Sequence, residues 1–267
     1  MAFIFPQPSD AEIESLYAEE YFTACSETVG AHGTEAYLEQ AKSGGAQRRV
    51  RAAWLDRKLR NHLPAGGQLL EVGCGPGFFL AAMKEVGWQV KGLEISSFAA
   101  QYGREHLGLE ILVAPIADGS FPAATFQAIL MTDVLEHLPD PVASLRAVRS
   151  WLAPGGILAV AVPSTMNLLS AQIGLTAYRA LGRFKTLRIP PYHLFEYTPR
   201  TLRTTLATAG FRLLELDQSA VPIDKMGLRG TAVENSGKVA LQLLAHLTAR
   251  VFNRGGDRLF ALAVARS

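Results

Sequence analysis

The chain has 267 residues, of which 49% are apolar and 19% charged, and its net charge is +2. That composition supports a sizeable core and excludes a globally disordered chain. From so small a net charge no global attraction to nucleic acid or anionic lipid follows. The two cysteines, Cys25 and Cys74, are no disulfide framework and fit a reducing compartment.

The charge is unevenly spread. Residues 1–47 hold Asp10, Glu12, Glu14, Glu19, Glu20, Glu27, Glu35 and Glu39 against Lys42 alone. Arg48, Arg49, Arg51, Arg57, Lys58 and Arg60 then crowd one stretch, and Arg179, Arg183, Lys185 and Arg188 form another. Solvated helix faces are the favoured reading over a phosphate- or membrane-binding patch. The opening MAFIFPQPSD lacks the basic start of a signal peptide. No apolar run approaches the roughly 20 residues that span a bilayer. The expectation is a cytoplasmic protein with no transmembrane segment, peripheral membrane contact being left open.

Residues 10–62 read as helical. Asp10 can cap a helix over Ala11–Phe22, and Arg48–Leu63 carries apolar positions at Val50, Trp54 and Leu59. Pro64-Ala65-Gly66-Gly67 breaks that run. From Gln68 short apolar strands alternate with helices. Strands are predicted at Gln68–Val72, Trp88–Glu94, Glu110–Ala114, Phe126–Thr132 and Ile157–Val162, and helices at Phe78–Val86, Ser96–His106 and Pro141–Leu152. Such alternation predicts an α/β fold, a doubly wound, mostly parallel sheet with helices on both faces. Two later strands, Phe211–Asp217 and Arg258–Ala265, flank an amphipathic helix over Gly237–Phe252. Asn167–Tyr197 shows no clear strand and follows the fifth one, at the sheet edge where such folds bind ligands. It is a candidate lid or substrate wall. The organisation is thus an N-terminal helical segment, 1–63, and a ligand-binding domain, 64–267, with the insertion at 167–197.

The strongest chemical signal is Leu69-Leu70-Glu71-Val72-Gly73-Cys74-Gly75-Pro76-Gly77, a hydrophobic strand running into three alternate glycines and then a helix. Glycine permits positive φ and lets a ligand lie against bare backbone, and the helix start presents free N–H groups. A nucleotide-like ligand follows. The dinucleotide fingerprint would need a glycine where Phe78 stands, and no Lys-Ser/Thr pair follows to make a P-loop. Next comes Gly92-Leu93-Glu94-Ile95-Ser96, whose acid at a strand end can accept both hydroxyls of a ribose. Then come Met131-Thr132-Asp133-Val134-Leu135-Glu136-His137-Leu138, Pro139-Asp140-Pro141, and the turn Leu152-Ala153-Pro154-Gly155-Gly156. Glu136 and His137 face either the cleft or a helix cap. In Tyr192-His193-Leu194-Phe195-Glu196-Tyr197-Thr198-Pro199, Thr198 is a plausible N-cap with Pro199 in the first turn.

Glu71-x-Gly73-x-Gly75-x-Gly77, the post-strand-four DVLEHLPDP, LAPGG, HLFEYTPRTL and an early Tyr17-x-x-x-Tyr21-Phe22 together resemble class I S-adenosyl-L-methionine (SAM)-dependent methyltransferases. The similarity is to a small-molecule branch that includes ubiquinone-biosynthesis-type O-methyltransferases. The resemblance covers most of residues 17–265. It implies a seven-stranded Rossmann-like sheet and SAM as cofactor, held by Glu71, Gly73, Cys74, Gly75, Gly77, Glu94, Ile95, Ser96, Ile116, Ala117, Thr132 and Asp133. His137 and His193 are the candidate bases, and Tyr21, Tyr192 and His193 the candidate substrate contacts. The chain departs from the pattern at Asp118, displaced from the usual place of the adenine-side acid, and at Gln127, where an Asp is usual. No CxxC, HExxH or acidic cluster suggests a metal. The expected partner is a small-molecule methyl acceptor and not nucleic acid, since no Asn/Asp-Pro-Pro-Tyr/Phe motif or strongly basic surface is present. A nicotinamide-dependent oxidoreductase and a non-catalytic SAM-binding protein are the competing readings.

Overall fold

The computed structural model describes residues 2–3, 19–23, 37–116, 121–164, 193–220 and 232–266. A seven-stranded sheet organises them. Its strands are β2 (Gln68–Val72), β3 (Gln89–Glu94), β4 (Ile111–Val113), β5 (Phe126–Thr132), β6 (Leu152–Pro163), β8 (Phe211–Ser219) and β9 (Arg258–Ala265). They lie in the order β4-β3-β2-β5-β6-β9-β8. Only β9 runs against its neighbours, making antiparallel pairs with β6 and β8. The chain winds outward from β2 to β4, then restarts on the other side at β5. The switch point therefore falls between β2 and β5, whose following connections leave toward opposite sides of the sheet, the place where such folds bind ligands.

Successive side chains alternate across the sheet and seed two cores. Leu70, Val72, Ile129 and Met131 face helix α6 (Pro141–Trp151) and α7 (Pro199–Thr208), meeting Leu145, Val148, Leu202 and Leu206. Leu69, Ala128 and Leu130 face the other way, against α3 (Gly45–Arg60) and α4 (Phe78–Glu85), meeting Leu55, Leu59, Leu80 and Met83. Helix α5 (Ser97–Leu107) follows β3. Caps delimit the helices as their residue types predict: the Asp140 carboxylate accepts the Ala143 N–H at 2.8 Å, and Thr198 and Thr201 form a reciprocal capping box with Pro199 in the first turn.

Several expectations are revised. On α3 the buried face is Ala52, Leu55 and Leu59, and Val50 is exposed at 73%. Its neighbour Arg51 instead lies over the Phe79 ring, 5.3 Å from the centroid. The Leu152–Gly156 turn is a bulge inside one long strand: the register jumps from Phe126 opposite Leu152 to Ala128 opposite Ile157, with Gly155 at φ 76°. Gln127 takes over a backbone role, its Oε1 accepting the Gln68 N–H at 2.7 Å and so pinning the first residue of β2. The N-terminal segment is not purely helical, because β1 (Ala2–Phe3) pairs antiparallel with β7 (Phe195–Glu196). Of the helix expected over Ala11–Phe22, the structure describes α1 (Glu19–Thr23), which is followed by α2 (Tyr37–Ser43). Helix α8 spans Ala232–Phe252 and starts earlier than Gly237. The predicted wall at 167–197 lies outside the described residues except for 193–197.

Candidate active site at the carboxyl edge of the sheet

The glycine loop leaves β2 and turns into α4 through three residues of positive φ, Gly73 at 67°, Gly75 at 53° and Gly77 at 82°. These dihedrals strain any residue with a Cβ. At two of them space is short as well: a Cβ on Gly73 would come within 2.5 Å of Val134 Cγ2 and one on Gly77 within 2.4 Å of Leu109 Cδ1, so those side chains would have to shift. The Gly73 N–H donates to the Leu93 carbonyl at 2.7 Å, so the loop is anchored to β3. Cys74 donates through its thiol to the Gly75 carbonyl at 3.6 Å, within the loop itself. Its side chain is buried beneath Gly92, whose own Cβ would meet the sulfur at 2.6 Å.

Glu94 closes this cradle. It is 6% exposed, and its carboxylate accepts the Gly75 N–H at 2.7 Å and the Ser96 N–H at 2.9 Å. Burial raises its pKa, and the N–H donors of Ser96, Gly75 and Ile95 oppose that rise. An ionised carboxylate has about four lone-pair sites, so two bonds leave capacity for a ribose diol. Ser96 caps α5 through its hydroxyl, which accepts the Ala99 N–H at 3.4 Å.

Glu71, at the penultimate position of β2, is buried, and its Oε2 has no hydrogen-bond partner. Burial pushes its pKa up to about 8, with Glu94 adding to the rise and the Arg51 guanidinium opposing it. A buried carboxyl with one oxygen unpartnered beside a bare-backbone loop fits a ligand that carries hydrogen-bond donors or positive charge. SAM, with its sulfonium and ammonium, is such a ligand.

Beyond β5 the chain turns through Asp133, whose φ of 55° is rare for a non-glycine residue. Its carboxylate accepts from Arg258 Nη2 at 2.5 Å, joining the end of β5 to the start of β9. A single 3-10 turn, Leu135–His137, follows. Glu136 is fully buried, neither of its carboxylate oxygens has a hydrogen-bond partner, and burial, then Asp133, holds its pKa well above the usual range. The His137 Nε2 stands 3.8 Å from Glu136 Oε1, and the His137 and His193 rings meet edge to face with centroids 5.0 Å apart. His193 arrives there because the Leu194 N–H donates to the Glu136 carbonyl at 2.8 Å, and because Ser164 Oγ donates to the Tyr197 carbonyl at 2.6 Å. Burial lowers the His193 pKa, so its ring is neutral at pH 7 and can accept a proton. One ligand atom each from Glu136, His137 and His193 lie within 4.8 Å of one another. That spacing can hold one divalent cation.

The structure thus brings Glu71, Gly73, Cys74, Gly75, Gly77, Glu94, Ile95, Ser96, Thr132 and Asp133 to one edge of the sheet. Ile116 follows β4 and packs half-buried against the first core. Ala117, Asp118 and Tyr192 lie outside the described residues. Tyr21 is half-buried beside Phe22, in a small cluster with Phe78, Phe98 and Tyr102 at the start of α4 and along α5. His62 pairs with Glu215 at 3.4 Å, and His106 stacks on Tyr102, both away from the site. Sequence reasoning did not single out Arg51 and Arg258, because each is one basic residue among many on its segment. It also left Glu136 between cleft and cap, since only the tertiary structure shows that its carboxyl is buried.

Comparison with known proteins gives the chain's family and fold relatives. Residues 46–216 match the methyltransferase-domain family Methyltransf_23. The chain is 30% identical over 171 residues to a ubiquinone biosynthesis O-methyltransferase from Xanthomonas axonopodis pv. citri, covering 61% of this chain and 69% of that one. Other relatives of the same name are spanned over 64–65% of their length. Among solved structures, a SAM-dependent methyltransferase from Archaeoglobus fulgidus superposes with a TM-score of 0.54 at 19% identity, covering 81% of this chain and 93% of that one. One from Clostridium acetobutylicum does so with a TM-score of 0.56 at 11% identity, covering 86% and 99%. These two show the shared fold. The chain belongs to the methyltransferase-domain family. Within it, the chain is a SAM-dependent methyltransferase, similar to ubiquinone-biosynthesis-type O-methyltransferases.

Proposed function

We propose that the chain methylates an oxygen of a small apolar aromatic acceptor of quinone type. The observation that carries this reading is the His137–His193 pair beside buried Glu136, set at the end of β5 across the switch point from the glycine loop. The similarity to O-methyltransferases of ubiquinone biosynthesis supports the acceptor class.

When bound, SAM would supply a methyl group activated by its sulfonium, which the acceptor oxygen would take as the carbon–sulfur bond breaks and S-adenosylhomocysteine leaves. The chain's own part is largely positioning. Gly73, Gly75 and Gly77 let the ligand lie on backbone, and Glu94 receives the ribose hydroxyls. Glu71 accepts from the ligand's donors, and Arg51, the neighbouring cation, balances carboxylate charge. A phenolic hydroxyl must lose its proton as the new bond forms. His193, neutral through burial, accepts that proton at a ring nitrogen, and His137 orients it from the adjoining ring.

The test is turnover with SAM and ortho-dihydroxy aromatics carrying apolar tails, scored by mass spectrometry for an added methyl on oxygen. His193→Ala should lower kcat by about 10²–10⁴-fold with S-adenosylhomocysteine affinity unchanged. Methylation of nitrogen or carbon acceptors alone, or His193→Ala turning over like the parent, overturns the reading.

A further inference from the structure

Helix α8 presents several large apolar side chains outward. It buries Gln242, Ala245 and Ala249 and leaves Leu243, Leu244, Leu247 and Val251 exposed, Leu247 at 57%. These four fall at i, i+1, i+4 and i+8, one continuous stripe on a helix. Phe252, at the last position, is exposed at 67%. Five of the seven large apolar side chains exposed among the described residues are therefore on this one helix. Scattered exposed leucines need no explanation, but a contiguous stripe marks a contact surface.

The helix cannot roll to hide the stripe. Asn253, just past its end at φ 52°, donates through Nδ2 to the Leu216 carbonyl and accepts the Gln218 N–H at Oδ1, both at 2.6 Å. The Gln218 side-chain amide donates back to the Asn253 carbonyl at 2.6 Å. These bonds rivet the helix end to β8. On the inner side, Gln242 Nε2 reaches Asp257 Oδ2 at 3.4 Å.

The charge around the stripe names the partner. No Asp or Glu lies between Glu234 and Asp257, and exposed Arg250 and Arg254 flank the apolar side chains. Two copies of this face would bring like charges together, whereas an anionic bilayer offers phosphates to the arginines and acyl chains to the leucines. Six residues after Phe252 stands Arg258, bonded to Asp133 at the edge of the site, so a surface docked on α8 lies along the chain from that edge. We infer that the exposed face of α8 is a docking surface for anionic membranes, holding the enzyme peripherally at the lipid surface. This inference stands whatever the acceptor is.

The experiment is flotation of the full chain with vesicles of phosphatidylcholine alone and of phosphatidylcholine with phosphatidylglycerol. The protein should float only with phosphatidylglycerol present, and less at high salt. Leu247→Ser with Val251→Ser should weaken partitioning about tenfold or more, with the melting temperature unchanged because both side chains are exposed. Arg250→Gln with Arg254→Gln should weaken binding to anionic vesicles by a similar factor. No flotation, or flotation unaffected by the Leu247/Val251 pair, overturns the inference. So does sedimentation of the parent as a dimer that this pair dissociates while neither form floats, which would make the face a self-association surface.

Discussion

The Glu94 carboxylate accepts the Gly75 backbone N–H at 2.7 Å, a bond between a side chain at the end of β3 and the glycine loop 19 residues earlier. The residue that would hold the ribose thus also sets the shape of the loop that would carry the rest of the ligand. Glu94→Ala should weaken S-adenosylhomocysteine binding by about 1.5–3 kcal/mol, the size of lost charge-assisted hydrogen bonds. Calorimetric titration checks this. An affinity unchanged in the variant would remove Glu94 from the site.

Glu71 ties stability to pH. Its pKa is pushed up to about 8 from an ordinary value of 4.5. Between those values the unfolded chain has released the proton that the folded chain keeps, so stability falls as pH rises. The contribution is whole below about 4.5 and lost by about 8. Glu71→Gln carries no such proton. Its melting temperature should therefore gain on that of the parent as pH is raised from about 5 to about 8, by the equivalent of a few kcal/mol at most. A gap between the two that does not vary with pH would show that Glu71 is ionised in the folded chain.

Gly77 and Gly108 separate strain from collision. Both have positive φ, 82° and 60°, but a Cβ on Gly77 would strike Leu109 at 2.4 Å, whereas one on Gly108 meets nothing within 4 Å. Gly108→Ala should cost about 1–2 kcal/mol from the backbone alone. Gly77→Ala should cost that plus about 1–3 kcal/mol of overpacking, and should weaken cofactor binding as well. Denaturant unfolding of the two variants reads the difference.

Asp133 is held by Arg258 in a conformation that few residues adopt. Both side chains are partly exposed, at 44% and 34%, so a double-mutant cycle of Asp133→Asn and Arg258→Met should give a coupling of about 1 kcal/mol or less. Asparagine tolerates left-handed backbone and valine does not. Asp133→Val should accordingly destabilise by about 1–3 kcal/mol more than Asp133→Asn, read by thermal unfolding. Equal stability of the two would show that the turn is free to relax.

Much of this molecule is local in origin. The strands at Gln68–Val72 and Phe126–Thr132, the glycine loop and the Thr198–Pro199 cap are legible because each is encoded by neighbours: apolar runs, residues that tolerate positive φ, hydroxyls that cap. The strand ends and loop that carry the candidate cofactor residues are legible for the same reason. The acceptor side is not. His137 and His193 are 56 residues apart in sequence and meet only because the Leu194 N–H finds the Glu136 carbonyl. No local pattern records that bond. The unpartnered oxygens of Glu71 and Glu136 are likewise products of burial, as their residue types alone would place them in solvent. Helix α8 shows the same division: its apolar periodicity is written in the sequence, but tertiary bonds, those of Asn253 and Gln218 to each other's segments and of Gln242 to Asp257, decide that the stripe faces outward. Sequence by itself determined the strands, the turns and the class of ligand, because those depend on near neighbours. Tertiary structure decided which groups are desolvated and which distant groups touch, because burial and long-range contact exist only once the chain has closed on itself.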